Sequence, residues 1–129
     1  MILQYTLSTP IAKVFECLSD MQKFCNVHPV IFKVDSLGNN QYKFYEKIAF
    51  VTFSYAVSIE KTEPVTLVAM YSKVQPGVYL NLYFRLKEAG GLTYVEEEVK
   101  IKAPIIIKQV FEQVLKGAHQ KMFAKIGSL

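Results

Sequence analysis

From Tyr42 to Ile101 the chain alternates. Tyr42, Phe44 and Ile48 stand against Lys43, Tyr45 and Lys47, and Phe53, Tyr55, Val57 and Ile59 stand against Ser54, Ala56, Ser58 and Glu60. The cleanest run opposes Val78, Leu80, Leu82, Phe84 and Leu86 to Tyr79, Asn81, Tyr83, Arg85 and Lys87. Successive side chains of a strand point to opposite faces, so a period of two specifies a sheet with one buried and one solvated face. Such a sheet needs an apolar element to cover its inner face.

The strands are punctuated by turn chemistry. Val30 to Leu37 reads as a strand ending in Gly38-Asn39-Asn40, and the next runs from Gln41 to Phe50. A strand from about Val65 to Val74 has no decided inner face. Pro76-Gly77 and Gly90-Gly91 make the following turns, and Val95, Val99 and Ile101 face inward on the last strand. With Met1 to Leu7 in front, seven strands joined mostly by tight turns imply an antiparallel sheet.

Helical spacing occurs in only two places. Pro104 opens a long helix to about Ile126, with Ile107, Val110, Phe111, Val114, Leu115, Ala118 and Met122 on one stripe. Gly117 interrupts it, read either as an incidental weak spot or as a place where the helix flexes or leaves room beneath. Near the start, STPIAKVFECLSD places Ile11, Val14, Phe15 and Leu18 at i, i+3, i+4 and i+7. Ser8 or Thr9 is the expected cap and Pro10 the first helical residue, while Ser19-Asp20 caps a second short helix that stops at His28-Pro29.

The order β-α-α-β-β-β-β-β-β-α, with this opening motif, resembles the START-related helix-grip superfamily (SRPBCC). That group includes steroidogenic lipid-transfer domains, pathogenesis-related plant ligand binders, polyketide cyclases and activators of a heat-shock chaperone. Pro10, Val14, Phe15, Leu18, Asp20 and Pro29 match the superfamily's opening helix pair. The resemblance covers essentially the whole chain. It implies an α+β helix-grip fold: a curved seven-stranded antiparallel sheet wrapped around the C-terminal helix, two short helices closing one end, and an apolar cavity between them.

At 129 residues the chain reads as one domain, residues 1–129. Its hydrophobic share is 51% and its aromatic share 13% without tryptophan, which suits a thick core or a cavity lined with rings. The net charge of +4 lacks arginine clusters and linear basic–aromatic interleaving, so a nucleic-acid partner is not expected. Cys17 and Cys25 form no CxxC pair or metal-spaced cluster, and two unlinked histidines assemble no metal triad, so neither metal nor cofactor is expected. The start MILQYTLSTP carries no signal-peptide pattern and no membrane span, pointing to cytoplasmic residence with free thiols and no stable membrane insertion. A homodimer is left open.

Two carboxylates stand in phase with apolar positions, Glu46 after Tyr42 and Phe44, and Glu97 between Val95 and Val99. A carboxylate facing a core costs several kcal/mol unless paired or protonated. Either a bulge turns each one outward or each is a polar anchor in a cavity. For Glu46 the expected partner is the Tyr55 hydroxyl, with its carboxyl pushed upward by burial without a cation. The expected cavity set is Tyr42, Phe44, Glu46, Tyr55, Met70, Leu82, Phe84, Glu97, Val99, Phe111 and Leu115. His28 reads as loop chemistry and His119 as a partly exposed or hydrogen-bonded residue at the stripe's edge.

Three functions fit. The first is binding or transport of a small hydrophobic ligand, a lipid, isoprenoid or aromatic. The second is an enzyme of the polyketide cyclase or dehydratase type, moving protons with Glu46, Glu97, a tyrosine or a histidine. The third is a protein-interaction module like the chaperone activators, using Tyr45, Tyr79 and Tyr83 on the outer face.

Overall fold

The computed structural model describes residues 1–62 and 66–129. The elements are β1 (Ile2–Leu7), α1 (Ile11–Ser19), α2 (Met21–Val27), β2 (Ile31–Gly38), β3 (Gln41–Ile48), β4 (Val51–Thr62), β5 (Leu67–Gln75), β6 (Val78–Ala89), β7 (Leu92–Lys102) and α3 (Ile105–Gly127). One sheet of seven antiparallel strands runs in the order β1-β7-β6-β5-β4-β3-β2, so only β1 pairs out of sequence. The expected start of a strand at Val65 lies outside the described residues.

Cross-strand register builds the inner face. Phe44 stands opposite Tyr55, Ile59 opposite Met70, and Met70 opposite Leu82, which in turn faces Val99. This register also decides β5: Val68, Met70 and Ser72 are buried on the inner side. The helices α1 and α2 pack against each other and against the sheet, burying Val14, Phe15, Leu18 and Phe24. Both cysteines are free thiols.

Three local expectations change. Neither Ser8 nor Thr9 caps α1; Pro10 occupies the cap position without a side-chain bond. The Thr9 hydroxyl instead donates to the Ile126 carbonyl at 3.3 Å, tying the start of α1 to the C-terminal end of α3. At α2 the cap is as expected, with Asp20 accepting from the backbone of Gln22 and Lys23 at 3.0 and 3.1 Å. β3 ends at Ile48 rather than Phe50, because Ile48 pairs with Val51 across an Ala49-Phe50 turn. Ala49 takes φ 55°, a left-handed value rare for a residue with a Cβ, so the turn lacked the usual Gly or Asn signature.

The third change concerns α3. Its second half is buried through Leu115, Ala118, His119, Met122, Phe123 and Ile126. In the first half, Ile105, Ile106 and Val110 are 66%, 72% and 58% exposed, and Ile107, Phe111 and Val114 are half-buried. The expected stripe is therefore covered only toward the C-terminal end. Phe111 and Val114 rim a space that the sheet leaves under the helix, and Val110 faces out. Among the described residues, no helix is long and apolar enough to cross a membrane.

Candidate functional site

Between the inner faces of β3 to β6 and the underside of α3 lies a cavity of about 50 Å³. Phe44, Tyr55, Val57, Met70, Leu80 and Leu82 supply its sheet wall, while Phe111, Val114, Leu115 and Ala118 supply its helix wall. Phe24, Val30 and Ile31 close the end nearest α2. The lining is apolar except at Glu46, His28, His119, the Tyr55 hydroxyl and Ser72.

Glu46 and Tyr55 are diagonal neighbours on paired strands, which puts hydroxyl and carboxylate within reach. The Tyr55 hydroxyl donates to Glu46 Oε1. Burial pushes the Glu46 carboxyl above its usual range, while the Tyr55 bond and the nearby His119 pull the other way. Tyr55 is pushed well up, by burial first and then by the adjacent carboxylate.

His28 sits at the C-terminal cap of α2, where its Nδ1 accepts from the backbone N–H groups of Val30 and Ile31, both at 3.2 Å. Two donors on Nδ1 place the ring hydrogen on Nε2 and keep the imidazole neutral. Burial, followed by the nearby His119, holds His28 well below the ordinary histidine range. The His119 ring stands edge-on to His28, with centroids 5.3 Å apart.

His119 is tied from behind. Its Nδ1 lies 2.5 Å from Glu97 Oε2, with the residues 2% and 0% exposed. A carboxylate on Nδ1 fixes that nitrogen as the donor, leaving Nε2 as the atom free to face the cavity. Beyond Glu97 lies Tyr5, a diagonal neighbour on β1 whose ring stacks on Phe123 at 4.1 Å. Burial and the nearby Glu97 push the Tyr5 hydroxyl upward, yet neither that hydroxyl nor Glu97 Oε1 makes a hydrogen bond among the described residues. Those two oxygens are the buried side-chain polar atoms left without a partner among the described residues.

Seven of the eleven expected residues converge on the cavity: Phe44, Glu46, Tyr55, Met70, Leu82, Phe111 and Leu115. The other four do not. Tyr42 lies at the far end of the inner face, lining a surface groove with Asp20 and Lys61. Phe84 is wholly buried against His119 and Phe123, and Val99 fills core on β7. Glu97 points inward as its alternation implied but stands behind His119, not on the wall. The unforeseen polar members are His28, His119 and Ser72. A signal existed for two of them, since His119 follows Leu115 by four residues and Ser72 lies in phase with Met70.

No group of three His, Cys, Asp or Glu side chains among the described residues has metal-holding geometry. On the outer face, Lys33 and Lys43 lie against the Tyr45 ring, Lys73 and Lys102 against Tyr79, and Arg85 and Lys100 against Tyr83. The chain's own cations thus occupy the rings that a docking patch would present.

No family model matches the chain, and no curated protein matches its sequence. Solved structures do match its fold. Ara h 8.0201 superposes with a TM-score of 0.77 at 16% identity, over 100% of this chain and 97% of the other. A START superfamily protein from Mycobacterium smegmatis gives 0.77 at 12%, over 98% and 95%. The Zhui aromatase/cyclase from Streptomyces sp. R1128 gives 0.74 at 12%, over 98% and 92%. Such low identities carry fold and nothing further. This chain has the START-related helix-grip fold.

Proposed function

We propose that this chain binds a small, mainly apolar molecule between its sheet and α3, with Glu46, Tyr55 and His119 as the polar contacts. One observation carries the reading: an otherwise apolar cavity onto which a few polar groups converge, the usual composition of a small-molecule site. Neighbours in fold described as a START superfamily protein and an aromatase/cyclase support it. Phe44, Met70, Leu82, Phe111 and Leu115 form the apolar contacts, and the cytoplasm is the proposed setting.

Size limits the ligand. About 50 Å³ is a third of the roughly 150 Å³ of an apolar cavity that holds benzene. An aromatic body therefore enters by displacing the half-buried Phe111 and Val114, with the loosely covered first half of α3 moving outward. A lipid or isoprenoid demands a larger movement of the same parts.

A second reading, proton transfer on a bound substrate, is favoured by the convergence of Glu46, Tyr55 and His119 on one space. Both readings need the cavity, so the first test is occupancy. Isothermal titration calorimetry should show one benzyl alcohol bound per chain, and Ala118→Leu, which fills the cavity from α3, should abolish the heat while the chain stays folded. Absence of binding, or unchanged binding by Ala118→Leu, contradicts the proposal.

A further inference from the structure

The chain is basic overall at +4, but its cavity has the opposite character. No lysine or arginine lines it among the described residues; its ionisable groups are Glu46, Tyr55, His28 and His119. The two backbone donors on Nδ1 keep His28 neutral. Any positive charge on His119 is matched by Glu97 against its Nδ1. Glu46 therefore shares with Glu97 the one nearby group able to carry positive charge, His119, and the interior is net negative whenever both carboxylates are ionised. Tyr55 occupies only Oε1, and Oε2 has no protein partner among the described residues.

Four aromatic side chains share the mainly aliphatic lining with this carboxylate. Phe24 and Phe44 stack with centroids 6.0 Å apart, Phe44 meets Tyr55 edge-on at 5.9 Å, and Phe111 lines the helix side. Ring faces carry negative quadrupole potential and attract a cation most strongly where water is excluded. A buried ammonium is tolerated where it meets a carboxylate and further acceptors. An anion entering the same space meets a carboxylate and the negative faces of rings, with no lysine or arginine among the described residues to offset its desolvation.

Resting on the binding proposed above, we infer that the cavity selects a small protonated amine carried on an apolar or aromatic body, its ammonium paired to Glu46 Oε2 and set against the rings. Fatty-acid carboxylates and other anions are excluded by the same charges. The upward displacement of the Glu46 carboxyl by burial fits a group short of a counter-ion, and an ammonium beside it should draw it back down.

Benzylamine, benzyl alcohol and benzoate share one body and differ in charge. Calorimetry should find benzylamine at least tenfold tighter than benzyl alcohol, with no detectable benzoate binding. In Glu46→Gln the amine and alcohol should fall within threefold of each other. Tyr55→Phe frees Oε1 and should keep or enlarge the amine preference, which covers the case in which Glu46→Gln fails to fold. Equal or tighter binding of the alcohol, an amine preference surviving Glu46→Gln, or its loss in Tyr55→Phe overturns the inference while leaving the binding site standing. If none of the three compounds binds, the proposed function itself falls, and this inference with it.

Discussion

His28 shows how one side chain can be structural and ionisable at once. Its Nδ1 satisfies two backbone donors at the α2–β2 junction, a task that requires the neutral ring. Because the folded state holds the ring well below the ordinary histidine value of 6.5, the folded chain binds fewer protons than the unfolded one in acid. This stability is present above pH 6.5 and is lost as pH falls toward the depressed value. Asparagine places an oxygen where Nδ1 stands, so His28→Asn should keep the turn and gain on the wild type steadily below pH 6.5 in urea denaturation. His28→Ala should instead cost about 1–3 kcal/mol at neutral pH, leaving buried donors unsatisfied. A wild type and His28→Asn that lose stability in parallel on acidification would remove this role. The Glu46–Tyr55 bond was legible in the sequence because both residues keep the inner phase of neighbouring strands. The Glu97–His119 pair was not, because it joins residues 22 apart across the helix–sheet contact, and alternation says which way a carboxylate faces but not what meets it.

At the scale of elements, α3 is two segments in one helix. Apolar spacing alone made the stripe look continuous from Ile107 to Met122, yet periodicity cannot tell a wall that packs from a wall that rims a space. Energetics should divide the same way. Met122→Ala, in the fully buried half, should cost about 2–5 kcal/mol, and Val110→Ala, which faces out, no more than about 0.5 kcal/mol. Among the described residues outside its own helix, nothing lies within 4 Å of where a Gly117 Cβ would stand, so the glycine is not making room for a neighbour. Gly117→Ala should therefore stabilise the chain by about 0.5–1 kcal/mol through helix propensity. A loss at Gly117→Ala, or a cost at Val110→Ala rivalling that at Met122→Ala, would mean the helix is seated along its whole length. The missed turn at Ala49-Phe50 has a similar origin: the register of β3 with β4 imposes it on residues that do not advertise a turn.

Across the molecule, strand number, antiparallel order, the covering helix and the short helix pair were all readable, because each follows from period, turn chemistry or the opening motif. Which inward residues would surround empty space was not readable, since that depends on how far the curved sheet stands from the first half of α3. A binding site exists between sheet and helix only if a ligand enters there. Methyl-labelled protein titrated with benzylamine offers the most direct measurement, through intermolecular NOEs in the bound state. Ligand protons should show contacts to the methyl groups of Met70, Leu82 and Leu115 on the cavity walls, and none to Val14 and Leu18 beneath α1. Contacts confined to other methyl groups, or saturation without any contact to the three wall residues, would contradict it.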